Sequence, residues 1–100
     1  MPSANGYRFH PEAWAELEAA DDWYFARSID ASIEFLSSLD QALEEISDAP
    51  LRWPAYLYGT HRYLLARFPF SVVYLDDNDW LLLIAIAHSK RRPGYWKGRL

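Results

Sequence analysis

Apolar and polar positions change period once along this chain, from helical spacing in the first half to strand spacing in the second. The most regular signal is Ile29, Ile33, Leu36, Leu39, Leu43 and Ile46, which step by 4, 3, 3, 4 and 3. This predicts an amphipathic helix, with Asp30, Glu34, Asp40, Glu44 and Glu45 on its other faces. The pattern stops at Ser47-Asp48-Ala49-Pro50, where the proline disfavours helix in the residue before it. Upstream, Ala13, Leu17, Ala20 and Tyr24, with Trp14 beside them, form a second stripe. Pro11 and Glu12 suit the entrance of that helix, because proline loses nothing at the first position and an early carboxylate complements the dipole. It is expected to run to about Arg27, with Ser28 capping the next helix. Tyr7 to His10 is a short alternating run and a candidate first strand.

Beyond a connecting loop, Leu51 to Thr60, the spacing changes. Arg62 to Phe68 and Phe70 to Leu75 are β-rich runs parted by Pro69, and Asp76-Asp77-Asn78-Asp79 is a polar turn before the apolar run Trp80 to Ala87. That last run puts Trp80, Leu82, Ile84 and Ile86 on one pleat face and Leu81, Leu83, Ala85 and Ala87 on the other. This suits a mid-sheet strand covered on both sides. Periodicity alone also allows a helix there; the acidic turn and the hairpin spacing decide for strand. The expected fold is therefore α+β, a helical hairpin laid on an antiparallel meander.

The 100 residues allow one domain, 1–100. A chain that is 51% apolar, with 17% aromatics and only four glycines, is built to pack. Without cysteine it has neither disulfides nor a thiolate metal site. The opening Met-Pro-Ser-Ala-Asn-Gly lacks the charged start and apolar core of a signal peptide, and no apolar run approaches the ~18 residues of a membrane span. A cytoplasmic location is expected. The net charge of −4 hides a division. Residues 1–50 carry 11 acids against two arginines, a balance of −9, and residues 51–100 carry eight Lys/Arg against three acids, a balance of +5. Such asymmetry suits an acidic partner on one face, or acidic helices neutralised by a basic sheet edge.

Little of the usual site chemistry is present. Asp21-Asp22 and Glu44-Glu45 have no companion histidine and read as solvated helix faces. The Asp76–Asp79 turn lacks the glycine and distal glutamate of a calcium loop. His10, His61 and His88 are too scattered for a metal motif, and there is no phosphate-cradling glycine loop or nucleophile elbow. No metal or cofactor is expected. What remains is cationic: Arg62 and Arg67, then His88, Lys90, Arg91, Arg92, Tyr95, Trp96, Lys97 and Arg99 around the exit of the last strand. Arginine holds phosphate bidentately, histidine or tyrosine moves protons, and aromatic faces stack bases. The competing structural reading has Arg62 and Arg67 paired with helix acids and Tyr95 and Trp96 folded back as a hydrophobic plug.

With these residues the chain resembles the RelE/ParE superfamily of type II toxin–antitoxin toxins, in the plasmid stabilisation branch. The resemblance runs from Trp23-Tyr24 and Phe35-Leu36 through Arg62, Phe68-Pro69-Phe70 and Tyr74 to Ile86-Ala87-His88, Arg91-Arg92-Pro93-Gly94-Tyr95-Trp96 and Arg99. It implies a β-α-α-β-β-β order, a cognate antitoxin and a toxin–antitoxin hetero-oligomer. RelE-like members are metal-independent endoribonucleases that cut ribosome-bound mRNA; here that role would fall to Arg62, His88, Arg91 and Tyr95. ParE-like members poison DNA gyrase without hydrolysis. Leu51 to Phe68 contains arginines but no lysine, unlike the nucleases, and the acidic total is unusual for a ribosome ligand. The ParE-like expectation therefore leads, with Arg62, Arg67, His88, Lys90, Arg91, Arg92, Tyr95 and Trp96 as the surface for target or antitoxin. The nuclease reading and a divergent member that only binds antitoxin are the alternatives.

Overall fold

The computed structural model describes residues 6–100; residues 1–5, and with them most of the leader reading, lie outside the described residues. Strand β1 (Tyr7–Phe9) leads directly into α1 (Pro11–Arg27). His10 serves both, since its N–H donates to the Leu83 carbonyl (2.9 Å) and its Nδ1 accepts from the Glu12 N–H (3.1 Å) as a helix cap. Ser28 closes α1 through its N–H to Tyr24 and opens α2 (Ile29–Asp48) by accepting from the Ala31 N–H. One residue thus links the two helices, as the spacing predicts. Strands β2 (His61–Leu64), β3 (Phe70–Asp76) and β4 (Leu81–His88) form the meander. In the sheet order β1-β4-β3-β2 the meander is antiparallel, and β1 adds parallel to β4, which makes the four-stranded sheet mixed. No described helix is long and apolar enough to cross a membrane.

Three sequence expectations need correction. The inner face of α2 is Ser32, Phe35, Leu39, Ala42, Leu43 and Ile46, whereas Ile29 and Ile33 are more than half exposed and Leu36 is at the rim. Apolar type alone misplaced the first two turns; the true stripe passes through a serine whose hydroxyl donates to Asp21 across the hairpin. Next, β2 stops at Leu64 rather than Phe68. The chain leaves the ladder there because Leu65 is buried and Phe68 packs edge-on against Tyr24 (5.2 Å) and Phe35 (5.5 Å).

The third correction positions the site. Val73 faces Ala85 but Tyr74 faces Leu83, so Ile84 is an extra residue and β4 carries a bulge. Strict alternation breaks at that point. Leu81, Leu83 and Ile86 all join Phe35, Leu39, Leu43, Ile46, Val72 and Tyr74 in the core beneath the helices. Leu82, Ile84, Ala85 and Ala87 meet Val73, Tyr56, Tyr95 and Trp96 on the opposite face. The strand is covered on both sides as expected, by the helices on one and by the carboxyl-terminal segment and the loop before β2 on the other.

Candidate functional site

A bulge leaves peptide groups without ladder partners, and a buried one must be satisfied elsewhere. Here side chains supply the partners. Glu16, from α1, accepts the Ile86 N–H through Oε1 (3.0 Å), and Arg99 donates from Nη1 to the Ile84 carbonyl (3.0 Å). Arg99 and Glu16 also form a two-pronged pair at 2.8 and 2.9 Å, with the arginine side chain only 9% exposed. Tyr95 completes the group by donating its hydroxyl to Glu16 Oε2 at 2.5 Å. This network fastens the end of the chain to α1 and fixes where the preceding basic turn lies.

That turn begins at His88. The His88 Nδ1 accepts from the Lys90 N–H (3.0 Å) and its carbonyl accepts from the Arg91 N–H (3.0 Å), while Ser89 is tied to the Pro69 carbonyl (2.8 Å). Lys90, Arg91 and Arg92 are exposed. Arg91 stacks over the Tyr95 ring (3.8 Å), and Arg62, half-buried on β2, stacks over Tyr56 (4.2 Å). Between them lies a cavity of about 80 Å³ lined by Arg62, Ser71, His88, Arg91, Arg92 and Tyr95. Among the described residues no carboxylate lies within ion-pair distance of Arg62, Lys90, Arg91 or Arg92. The basic ridge is therefore not quenched by the acidic helices.

Other candidates are elsewhere. Arg67 is well exposed and sits 4.0 Å from Glu34 on α2, which answers to the helix-pairing alternative. Trp96 is 1% exposed and packs against Tyr56 and Tyr58, as the plug. Arg99 is structural. Glu16 and Ser71 were not among the candidates from sequence. Glu16 was detectable: at three residues after Ala13 and four before Ala20 it falls inside the apolar stripe of α1, where a solvated acid has no place.

Burial first, and then the bond to Glu16, push the Tyr95 hydroxyl well above its ordinary value of 10.0; burial, with a smaller contribution from Asp76, does the same to Tyr74. Tyr95 is thus held as a neutral donor to Glu16. The sign of the linkage follows: the folded chain binds more protons than the unfolded chain above pH about 10, so this stabilisation is complete below that pH and is lost as pH rises beyond it. Urea midpoints measured from pH 8 to 11 are expected to fall above pH 10, and to fall less steeply in Tyr95→Phe. Equal slopes in the two proteins would remove Tyr95 from the account.

No curated protein matches the chain. Among solved structures, a chain described as "Chromosomal ParDE TA system from P. aeruginosa" shares the fold, with a TM-score of 0.71 at 16% identity over 86% of this chain and 96% of that one. The family described as "ParE toxin of type II toxin-antitoxin system, parDE" matches residues 7–93, which include both helices, the whole sheet and the basic turn. The chain belongs to the ParE toxin family of type II toxin–antitoxin systems.

Proposed function

We infer that the chain inhibits growth without hydrolysis, by binding DNA gyrase through the ridge formed by Arg62, Lys90, Arg91 and Arg92, and that a cognate antitoxin neutralises it by covering this ridge with carboxylates. The observation that carries this reading is a combination of free charge and occupied acid–base groups. Among the described residues these four cations have no carboxylate partner, while the Tyr95 hydroxyl is held by Glu16 and the His88 Nδ1 by the Lys90 N–H. Phosphate or carboxylate recognition needs the first feature; general base catalysis on RNA needs groups that are not so committed. The family membership and the lysine-free segment before β3 point the same way.

The test compares the two targets directly. Purified protein should inhibit gyrase supercoiling and leave ribosome-bound mRNA uncut. Replacing Lys90, Arg91 and Arg92 together with Glu should weaken gyrase inhibition and antitoxin binding by about tenfold or more, since like charges at an interface cost several kcal/mol. Codon-dependent mRNA cutting that is lost in Tyr95→Phe or His88→Ala would replace this reading with the nuclease one. Unchanged behaviour of the triple variant would take the ridge out of the mechanism.

A further inference from the structure

β1 ends at Phe9, so among the described residues no strand lies beside β4 beyond Leu83 on the edge that faces away from β3. In an antiparallel pair, the N–H and C=O of one residue point the same way, and every second residue points outward. The contacts of Ile86 with Glu16 and of His88 with Arg91 fit that rule and show which residues face out. Glu16 takes the Ile86 N–H and the Arg91 N–H takes the His88 carbonyl. Among the described residues, the outward groups left without a partner are the Ile86 C=O and the His88 N–H, an acceptor and a donor on either side of Ala87.

These groups border a groove of about 440 Å³ between α1 and the sheet, within the roughly 300–1,000 Å³ typical of ligand pockets. Ala19, Trp23, Tyr24 and Phe70 give it apolar walls, and Lys90 and Arg91 stand at one end. Trp23 is 53% exposed. An apolar wall, a cationic end and a peptide edge are the three features that strand addition uses: backbone bonds for affinity, and alternate side chains for specificity.

The free pair also specifies direction. Antiparallel addition at Ile86 would need its N–H, which Glu16 occupies. Parallel addition needs the carbonyl of one residue and the N–H of the residue two further on, both given to a single partner residue. That is the pair left free. β1 is already parallel on this same side of β4, so an added segment would lie in line with it, beyond the Glu16–Arg99 pair.

We propose that this groove binds an extended segment of a partner protein as a short parallel strand, with one residue opposite Ala87 bonded to the Ile86 carbonyl and the His88 N–H. Neighbouring side chains on adjacent strands share a face. The residue opposite Ala87 therefore points with Ala87 toward the face that carries Arg91, Arg92 and Arg62, and is acidic. Its two neighbours point the other way, toward Trp23, Tyr24 and Phe70, and are apolar. The partner sequence is thus apolar, acidic, apolar. The proposal rests on the ridge reading above in one respect, the acidic residue that meets Arg62, Arg91 and Arg92; the backbone bonds to Ile86 and His88 do not depend on it, so peptide binding can fail while gyrase inhibition stands, and the reverse.

The probe is a fluorescein-labelled heptapeptide, acetylated and amidated, with Leu-Asp-Leu at its centre between serines and threonines. Its binding to the purified chain is read by anisotropy, and the His88 amide by NMR hydrogen exchange. The peptide should bind and slow exchange at His88. N-methylation of the central Asp, which removes only the N–H meant for Ile86, should weaken binding about tenfold, as should Lys in its place. Ala19→Trp, on the exposed side of α1, should close the groove and weaken binding similarly in a protein whose circular dichroism is unchanged. Absence of binding, or equal binding by the N-methylated or Lys-centred peptide, overturns the proposal.

Discussion

Glu16→Gln lowers the unfolding free energy by roughly 3–5 kcal/mol, the usual cost of removing one partner from a buried ion pair. The side chains involved are well shielded: Glu16 is 16% exposed and Arg99 9%. Four donors converge on the Glu16 carboxylate: the Ile86 N–H, the Tyr95 hydroxyl and two nitrogens of Arg99. A carboxamide has one oxygen where the carboxylate has two, and its amino group would face a donor. The guanidinium is then left shielded with only the exposed Glu12 carboxylate, 4.0 Å from Nε, as a counter-charge. The effect reaches the backbone as well, because the two bulge groups lose their alignment with α1. Urea denaturation measures it, and a loss below about 1 kcal/mol would show that solvent already satisfies the network. A second protein sharpens the result. With Arg99→Met added, no uncompensated cation remains, so the double variant should lose less than the sum of the single losses. Arg67→Ala, which breaks an exposed pair of 4.0 Å, should change stability by less than about 0.5 kcal/mol.

This contrast bears on what the sequence can reveal. Helix boundaries were readable because they depend on local chemistry: Pro11 at the first position, Ser28 as a shared cap, Pro50 beyond the end. The meander was readable for the same reason, since the Asp76–Asp79 turn is local and Asp76 accepts the Asn78 N–H within it. The bulge at Ile84 was not. Leu82, Ile84 and Ile86 look equivalent in an apolar run, and only pairing with β3 determines where the pleat slips. The slip sends Ile86 to the helix side and creates the need for Glu16 and Arg99, residues 83 positions apart. Sequence likewise grouped Arg62 and Arg67 with eight cationic and aromatic residues at the exit of β4 without separating their roles. Arg62, Arg91 and Arg92 do meet around one cavity, whereas Arg99 and Trp96, within the same few residues, are structural. Type and proximity in the chain identify a basic segment; burial decides which members face outward.

Trp96→Ala is expected to cost about 3–5 kcal/mol in unfolding free energy, the range for truncating a large aromatic in a core. Trp96 is 1% exposed and lies over Val73, Ile84 and Ala85, with Tyr56 and Tyr58 at its edges (6.1 and 5.9 Å). Its position is set from both sides. Gly94 adopts φ +81, where a side chain would be strained and a Cβ would come 3.1 Å from Tyr58, and the Lys97 N–H donates to the Gly94 carbonyl at 2.9 Å. The indole thus holds the turn carrying Arg91 and Arg92 against the sheet. Trp96→Phe, which keeps most of the apolar volume, should lose less. The two variants separate a structural role from a stacking one. If Trp96 supports the ridge from below, the gyrase inhibition proposed above should, in Trp96→Ala, fall in step with the folded fraction and recover at lower temperature. Full stability combined with lost inhibition would instead make the indole a contact surface, and burial could then no longer be used to sort the residues of the basic segment.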